Sequence, residues 1–234
     1  MSRGEWDGRR VGVVLVAAGD GVRLGAGCPK ALIEIAGRSL LSHALAGLAA
    51  ADLPPPVVVH PVGSAGDFSA ASAGLPVAAF VAGGVTRTGS VRAGVTALDT
   101  GVEVVAIHDA ARPLTPPQVM RAAVDAVRGD VLAAAPARPV ADTLKRVDQD
   151  EILATVDRTA LVGVQTPQVF VRWVLDAALA QPGDATDDLA LVEGLVAQRK
   201  AEGRMVTVTG SLLGHKVTYP EDLALVRAIA EGRM

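Results

Sequence analysis

The chain has 234 residues, half of them hydrophobic and only 3% aromatic, with 22 basic against 25 acidic side chains and a net charge of −3. That length suits a single domain with at most an appendage, its core built from Ala, Val and Leu. The faintly acidic balance and the scarcity of aromatics argue against a nucleic-acid partner. No apolar run reaches the ~20 residues that cross a bilayer, and the polar start MSRGEWDGRR reads as a lead-in without a signal core. The single cysteine, Cys28, excludes an internal disulfide and suits a reducing, cytoplasmic setting.

The first predicted strand is Val11–Ala17, an apolar run leading into AAGDGVRLGAGCPK, Ala17 to Lys30. Glycines let backbone N–H groups approach an anion, and Arg23 and Lys30 add fixed positive charge, an arrangement suited to nucleotide phosphates. Neither the Walker A spacing nor G-x-G-x-x-G is met: Ala26-Gly27 stand where the first needs Lys-Ser/Thr, and Leu24 stands where the second needs Gly. Predicted helices follow at Leu40–Ala51, Ser90–Leu98, Pro117–Val127, Val171–Ala180, Asp187–Gln198 and Glu221–Ala230. They alternate with strands at Val57–His60, Val77–Val81, Val102–Ile107, Val131–Pro136, Val162–Thr166 and Met205–Thr209. Thr115 before two prolines reads as an N-cap, and Pro220 before Glu221-Asp222 as a helix start with acids in the first turn.

This alternation predicts an α/β fold with a Rossmann-like, doubly wound and mostly parallel sheet, whose ligands bind at the carboxyl ends of the strands. One segment breaks it. Residues 139–160 are polar and charged, with two short alternating runs, Thr143–Val147 and Ile152–Val156, around Asp148–Glu151. They predict a projecting β-hairpin arm, marginal alone in water, for which the same arm of a second subunit is the economical partner. His108 and His215 lack the paired spacing of metal ligands and are assigned structural roles; Arg23 or Arg87 taken alone reads as a solvated surface charge.

Further charged and hydroxyl residues fall at the predicted strand ends: Gly83–Val91 (GGVTRTGSV), His108–Pro113 (HDAARP), Asp142–Lys145 (DTLK), Val156–Arg158 (VDR), Gln165–Gln168 (QTPQ), Thr186-Asp187-Asp188 and Lys216–Thr218. In this order and spacing, and together with the glycine loop, they resemble the 2-C-methyl-D-erythritol 4-phosphate cytidylyltransferases of non-mevalonate isoprenoid biosynthesis, from about Val13 to Leu223. The resemblance implies a single nucleotidyltransferase domain. It implies cytidylyl transfer from CTP to a sugar-alcohol phosphate with release of diphosphate, with Mg²⁺ held mainly by the CTP phosphates rather than by protein ligands.

It also carries roles onto matching positions. Arg23, Lys30, Arg158 and Lys216 are expected to be catalytic, the first two on the triphosphate and the last two on the acceptor phosphate. Ala17, Ala18, Gly19, Gly21, Gly84, Ser90 and Asp109 are expected to hold the nucleotide. Asp109, Arg112, Thr143, Thr166 and Thr186 are expected to hold the acceptor. A homodimer through the 139–160 arm would bring Arg158 to the neighbour's site. Two departures stand out: Val85 where many relatives carry Asp, and Gly214-His215-Lys216 where many carry Asn-x-Lys. Cytidylyl transfer to another pentitol phosphate such as ribitol 5-phosphate remains the alternative within the superfamily. A nicotinamide-dependent oxidoreductase and a non-catalytic nucleotide sensor are alternatives outside it.

Overall fold

In the computed structural model, which describes residues 5–21, 24, 25 and 27–233, the run from Val11 is the centre of the sheet. A two-residue strand β1 (Glu5–Trp6) pairs with the start of β2 (Arg9–Val16). There follow a short hairpin, β3 (Glu34–Ile35) and β4 (Arg38–Ser39), helix α1 (Leu40–Ala50), β5 (Val57–His60) and α2 (Ala65–Ala71). Next come β6 (Ala79–Ala82), α3 (Arg87–Thr96), β7 (Val104–Asp109), α4 (Pro117–Ala126) and β8 (Val131–Pro139). The hairpin β9 (Leu144–Asp148) and β10 (Glu151–Val156) leads to β11 (Val162–Val164) and β12 (Gln168–Val171). Helices α5 (Arg172–Leu179) and α6 (Asp188–Ala197), strand β13 (Arg204–Thr209) and helix α7 (Pro220–Ala230) complete the chain.

Across the main sheet the order is β6–β5–β2–β7–β12–β8–β13, with β11 on the far end of β8. β2 is parallel to β5 and β7, β5 to β6 and β8 to β13, while β12 runs antiparallel to both β7 and β8. Side chains alternate between two buried faces, as a sheet covered on both sides requires. Val13, Leu15, Val58, Val104 and Ala106 meet Leu41, Leu45, Met120 and Val124 of α1 and α4. Their neighbours Val14, Val59, Val105 and Ile107 meet Val91, Val95, Leu175 and Val192 of α3, α5 and α6.

The predicted helices form within three residues of their expected ends, but three elements differ. The strand expected over 162–166 stops at Val164, and β12 begins at Gln168; Pro167, with no N–H to give to a ladder, interrupts the pairing. Helix α2 shows no apolar stripe in its small residues and is anchored by Phe68 alone among its buried side chains. Thr115 does not cap α4: the cap position is Pro116, and the Thr115 hydroxyl donates to the Arg112 carbonyl instead. The arm lies where the sequence predicts it, with β9 and β10 pairing with each other.

Candidate active site

The carboxyl ends of β2, β6 and β7 enclose a cavity of about 320 Å³. Three loops supply its walls. After β2, Ala17, Ala18, Gly19 and Asp20 form one wall, and Lys30 returns beside them through a bond from its N–H to the Gly19 carbonyl (3.3 Å). After β6, the turn 83–86 brings Gly84 to the cavity; a Cβ there would sit 2.8 Å from the Gly89 carbonyl carbon, so only glycine lets the turn close on α3. Thr86 caps α3 by accepting Gly89 N–H, and the Ser90 hydroxyl, 3.0 Å from the Thr86 carbonyl, stiffens the same turn. After β7, Asp109, Ala110 and Ala111 form the floor.

Charge converges on that floor. The Lys216 ammonium donates to Asp109 Oδ2 at 2.8 Å, and Arg87 reaches Asp109 Oδ1 at 3.4 Å. Burial alone would raise the Asp109 carboxyl, but the cations of Lys216 and Arg87 outweigh it and hold the group well below the usual carboxylate range. The Lys30 ammonium donates to the Val217 carbonyl at 3.1 Å, so two lysines from opposite ends of the chain meet on one wall. The Val217 N–H in turn donates to the Ala111 carbonyl, tying the Lys216 segment to the floor.

The QTPQ segment fastens three of the surrounding loops. Gln165 clasps Ser211, donating from Nε2 to its carbonyl (2.8 Å) and accepting its N–H (3.0 Å), and so holds the loop that carries Lys216. Thr166 Oγ1 accepts the Asp109 N–H at 3.1 Å and lies 2.9 Å from His108 Nδ1. Gln168 Oε1 accepts the N–H groups of Asp188 and Leu189 at the start of α6, while its Nε2 donates to Asp187. His108 is fully buried, and burial pushes its imidazole down to about 4. It is neutral near neutral pH, with Nδ1 turned to the Thr166 hydroxyl.

Lys30, Lys216, Ala17, Ala18, Gly19, Gly84, Ser90 and Asp109 thus line one cavity. Gly21 lies just beyond it, its carbonyl accepting the Leu24 N–H. Arg23 lies outside the described residues. Thr166 stands behind the floor with its hydroxyl engaged on both sides. Arg112 points away, donating to the carbonyls of Gly214 (2.7 Å) and Val164 (3.4 Å). Thr143 and Thr186 are exposed, and Arg158 lies on the arm, donating to the Val140 carbonyl; none of the four reaches the cavity within this one chain.

At the two departures, Val85 is fully exposed on the cavity rim, and Gly214 leaves room for Gln165. A Cβ at 214 would fall 2.8 Å from Gln165 Oε1. Sequence reasoning misses the Arg87–Asp188 pair, bidentate at 2.8 and 2.9 Å. Its one local signal is Asp188 directly after the N-cap Asp187, a second acid where a single cap suffices.

A family model described as 2-C-methyl-D-erythritol 4-phosphate cytidylyltransferase (IspD) matches residues 11–232. The chain is 47% identical over 228 residues to a bifunctional IspD/IspF enzyme of Clavibacter michiganensis, covering 94% of this chain and 54% of that protein. It is 45% identical over 222 residues to a 2-C-methyl-D-erythritol 4-phosphate cytidylyltransferase of Saccharopolyspora erythraea, covering 91% of this chain and 96% of the relative. The crystal structure of the Thermus thermophilus enzyme of that name superposes with a TM-score of 0.78 at 32% identity, covering 94% of this chain and 98% of that one. A match that takes in every loop of the cavity makes this chain a member of the 2-C-methyl-D-erythritol 4-phosphate cytidylyltransferase family.

Proposed function

We infer that the chain transfers the cytidylyl group of CTP to 2-C-methyl-D-erythritol 4-phosphate, giving 4-diphosphocytidyl-2-C-methyl-D-erythritol and diphosphate. The observation that carries the reading is the pair of lysines, Lys30 and Lys216, on the wall of a cavity at the strand ends. The acceptor phosphate has a second pKa of about 6, so it arrives ionised and needs no protein base. One of its oxygens attacks the α-phosphorus, and the bond from that phosphorus to the oxygen bridging to the β-phosphate breaks. The electron pair leaves with diphosphate. What the protein must supply is alignment of two polyanions and positive charge where negative charge accumulates.

In this reading Lys30, with Arg23, holds the triphosphate, and the N–H groups after β2 cradle it. Gly84 and Ser90 shape the wall facing the base. Lys216, held by Asp109, and Arg158 orient the acceptor phosphate for in-line attack. Arg112, Thr143, Thr166 and Thr186 surround the acceptor directly or through the loops they fasten.

Mg²⁺ is the proposed cofactor. Among the described residues no group of three or more His, Cys, Asp and Glu forms a metal cage. The donor set on the cavity wall, the carboxylates of Asp20 and Asp109 beside two lysines, fits an ion that takes most of its ligands from phosphates and water. Asp20 would hold it, since both Asp109 oxygens face Lys216 and Arg87, and the ion would neutralise charge on the departing diphosphate.

We also propose a homodimer through the arm. Val147, Ile152 and Leu153 are 54%, 64% and 53% exposed on a two-stranded hairpin, a surface that a second copy would cover. Arg158 would then act in the partner's site. A cytoplasmic setting accords with the lone, exposed Cys28, and no helix among the described residues is long and apolar enough to cross a membrane.

The test is diphosphate release with Mg²⁺ and 2-C-methyl-D-erythritol 4-phosphate, comparing CTP with ATP, GTP and UTP. Release with CTP is expected, lost in EDTA and restored by added Mg²⁺. Faster release with ribitol 5-phosphate as acceptor would reassign the substrate, and silence with every acceptor would reject transfer.

A further inference from the structure

Arg87 is the first residue of α3, directly after the turn that carries Gly84, and its guanidinium lines the cavity. It spans two carboxylates from separate elements. One is Asp109 on the cavity floor at 3.4 Å; the other is Asp188, at the start of α6, met by a two-pronged fork at 2.8 and 2.9 Å. Burial works against the charged arginine, but Asp109 and Asp188 together overcome it and raise its pKa, leaving a permanent cation.

A second contact lies beside it. Thr88, buried one residue on, accepts the Ala185 N–H on its hydroxyl at 3.3 Å. The segment 185–188 is therefore pinned to α3 at both ends, by Thr88 at Ala185 and by Arg87 at Asp188. Thr186 lies between the pins with its side chain exposed.

We propose that Arg87 is a positioning residue for the acceptor. It fixes the 185–188 segment against the nucleotide-side turn so that Thr186 meets the sugar-alcohol phosphate at the correct distance from the triphosphate. The inference rests on the cytidylyl-transfer reading. Only a planar fork can hold both oxygens of Asp188 while still reaching Asp109, so a lysine should restore charge without register.

Removing Arg87 alone strands a buried carboxylate and can unfold the protein. The principal variant is therefore the double change Arg87→Met with Asp188→Leu, with Arg87→Lys as the conservative comparison. For each, diphosphate release is followed as the sugar-alcohol phosphate is varied, which gives the Michaelis constant for the acceptor. CTP affinity is measured by calorimetry and the melting temperature by scanning fluorimetry. The expected result for the double variant is an acceptor Michaelis constant raised at least tenfold, CTP affinity within threefold of wild type and a melting temperature within a few degrees. Arg87→Lys should fall between the two. An unchanged Michaelis constant for the acceptor overturns the proposal. So does a parallel loss of CTP affinity, which would make Arg87 part of the nucleotide wall, or equal losses in every quantity, which would make it a packing element. Wild-type silence in the same assay would instead reject the transfer reading, and this inference with it.

Discussion

Thr166 spends one hydroxyl on two buried neighbours, the Asp109 N–H and His108 Nδ1. Thr166→Val keeps the shape and removes the oxygen, leaving both groups unpaired inside the protein. At about 1–3 kcal/mol for each orphaned group, urea unfolding should show a loss of about 2–4 kcal/mol, whereas Thr166→Ser should stay near wild type. A Val variant as stable as the Ser variant would show that the hydroxyl does no such work. Lys216 is different: it is partly exposed, and Asp109 keeps Arg87 at 3.4 Å when the ammonium is gone. Lys216→Ala should therefore remain folded while turnover falls about a hundredfold or more, the scale of losing one preorganised transition-state donor; near-normal turnover would remove Lys216 from the reaction. Lys30 is legible in the sequence because it closes a glycine-rich loop behind an apolar strand, whereas Lys216 is picked out only by the family resemblance. The duties of Gln165 and Gln168 are not legible, because each clasps backbone groups some 20 to 46 residues away and no local pattern marks them.

Legibility at the level of elements follows periodicity. β2, β7 and the amphipathic helices are readable because their apolar residues recur on a regular face. α2 is hidden because it is small-residue chain with one Phe, and β12 because a proline separates it from β11. The arm is readable by its failure to look like core. Its apolar side chains face water in a single chain, so if the proposed homodimer forms through them, Ile152→Asp with Leu153→Asp should shift the protein to a monomer in light scattering and lower its activity. A variant that stayed dimeric would move the interface elsewhere. If sites are shared between subunits, mixing Arg158→Ala with Lys30→Ala protein should recover part of the activity. Activity no higher than that of either parent would mean that each site is built from one chain.

For the molecule as a whole, the buried imidazole sets a pH limit. His108 titrates at about 4 when folded and at its ordinary 6.5 when unfolded, because burial disfavours the imidazolium. Between those values the unfolded chain binds the extra proton. The stability it represents is thus complete above about pH 6.5 and drains away as the pH falls towards 4. Urea unfolding of wild type should show a loss of about 2 kcal/mol on going from pH 7 to pH 5. A flat profile would mean that His108 is solvated or paired in the folded state.

The doubly wound sheet is visible in the sequence as a rhythm of strand and helix, whereas the ion network over its edge joins residues about a hundred positions apart and emerges only when the chain is folded. One pair of positions carries this further. Gly214 is bare because the Gln165 carboxamide already fills the space a side chain would need. Residues 165 and 214 therefore form a single choice written in two places. An asparagine placed at position 214 would pry open the Ser211 clasp unless residue 165 gave way first, so the order of the two substitutions decides whether a functional intermediate lies between them.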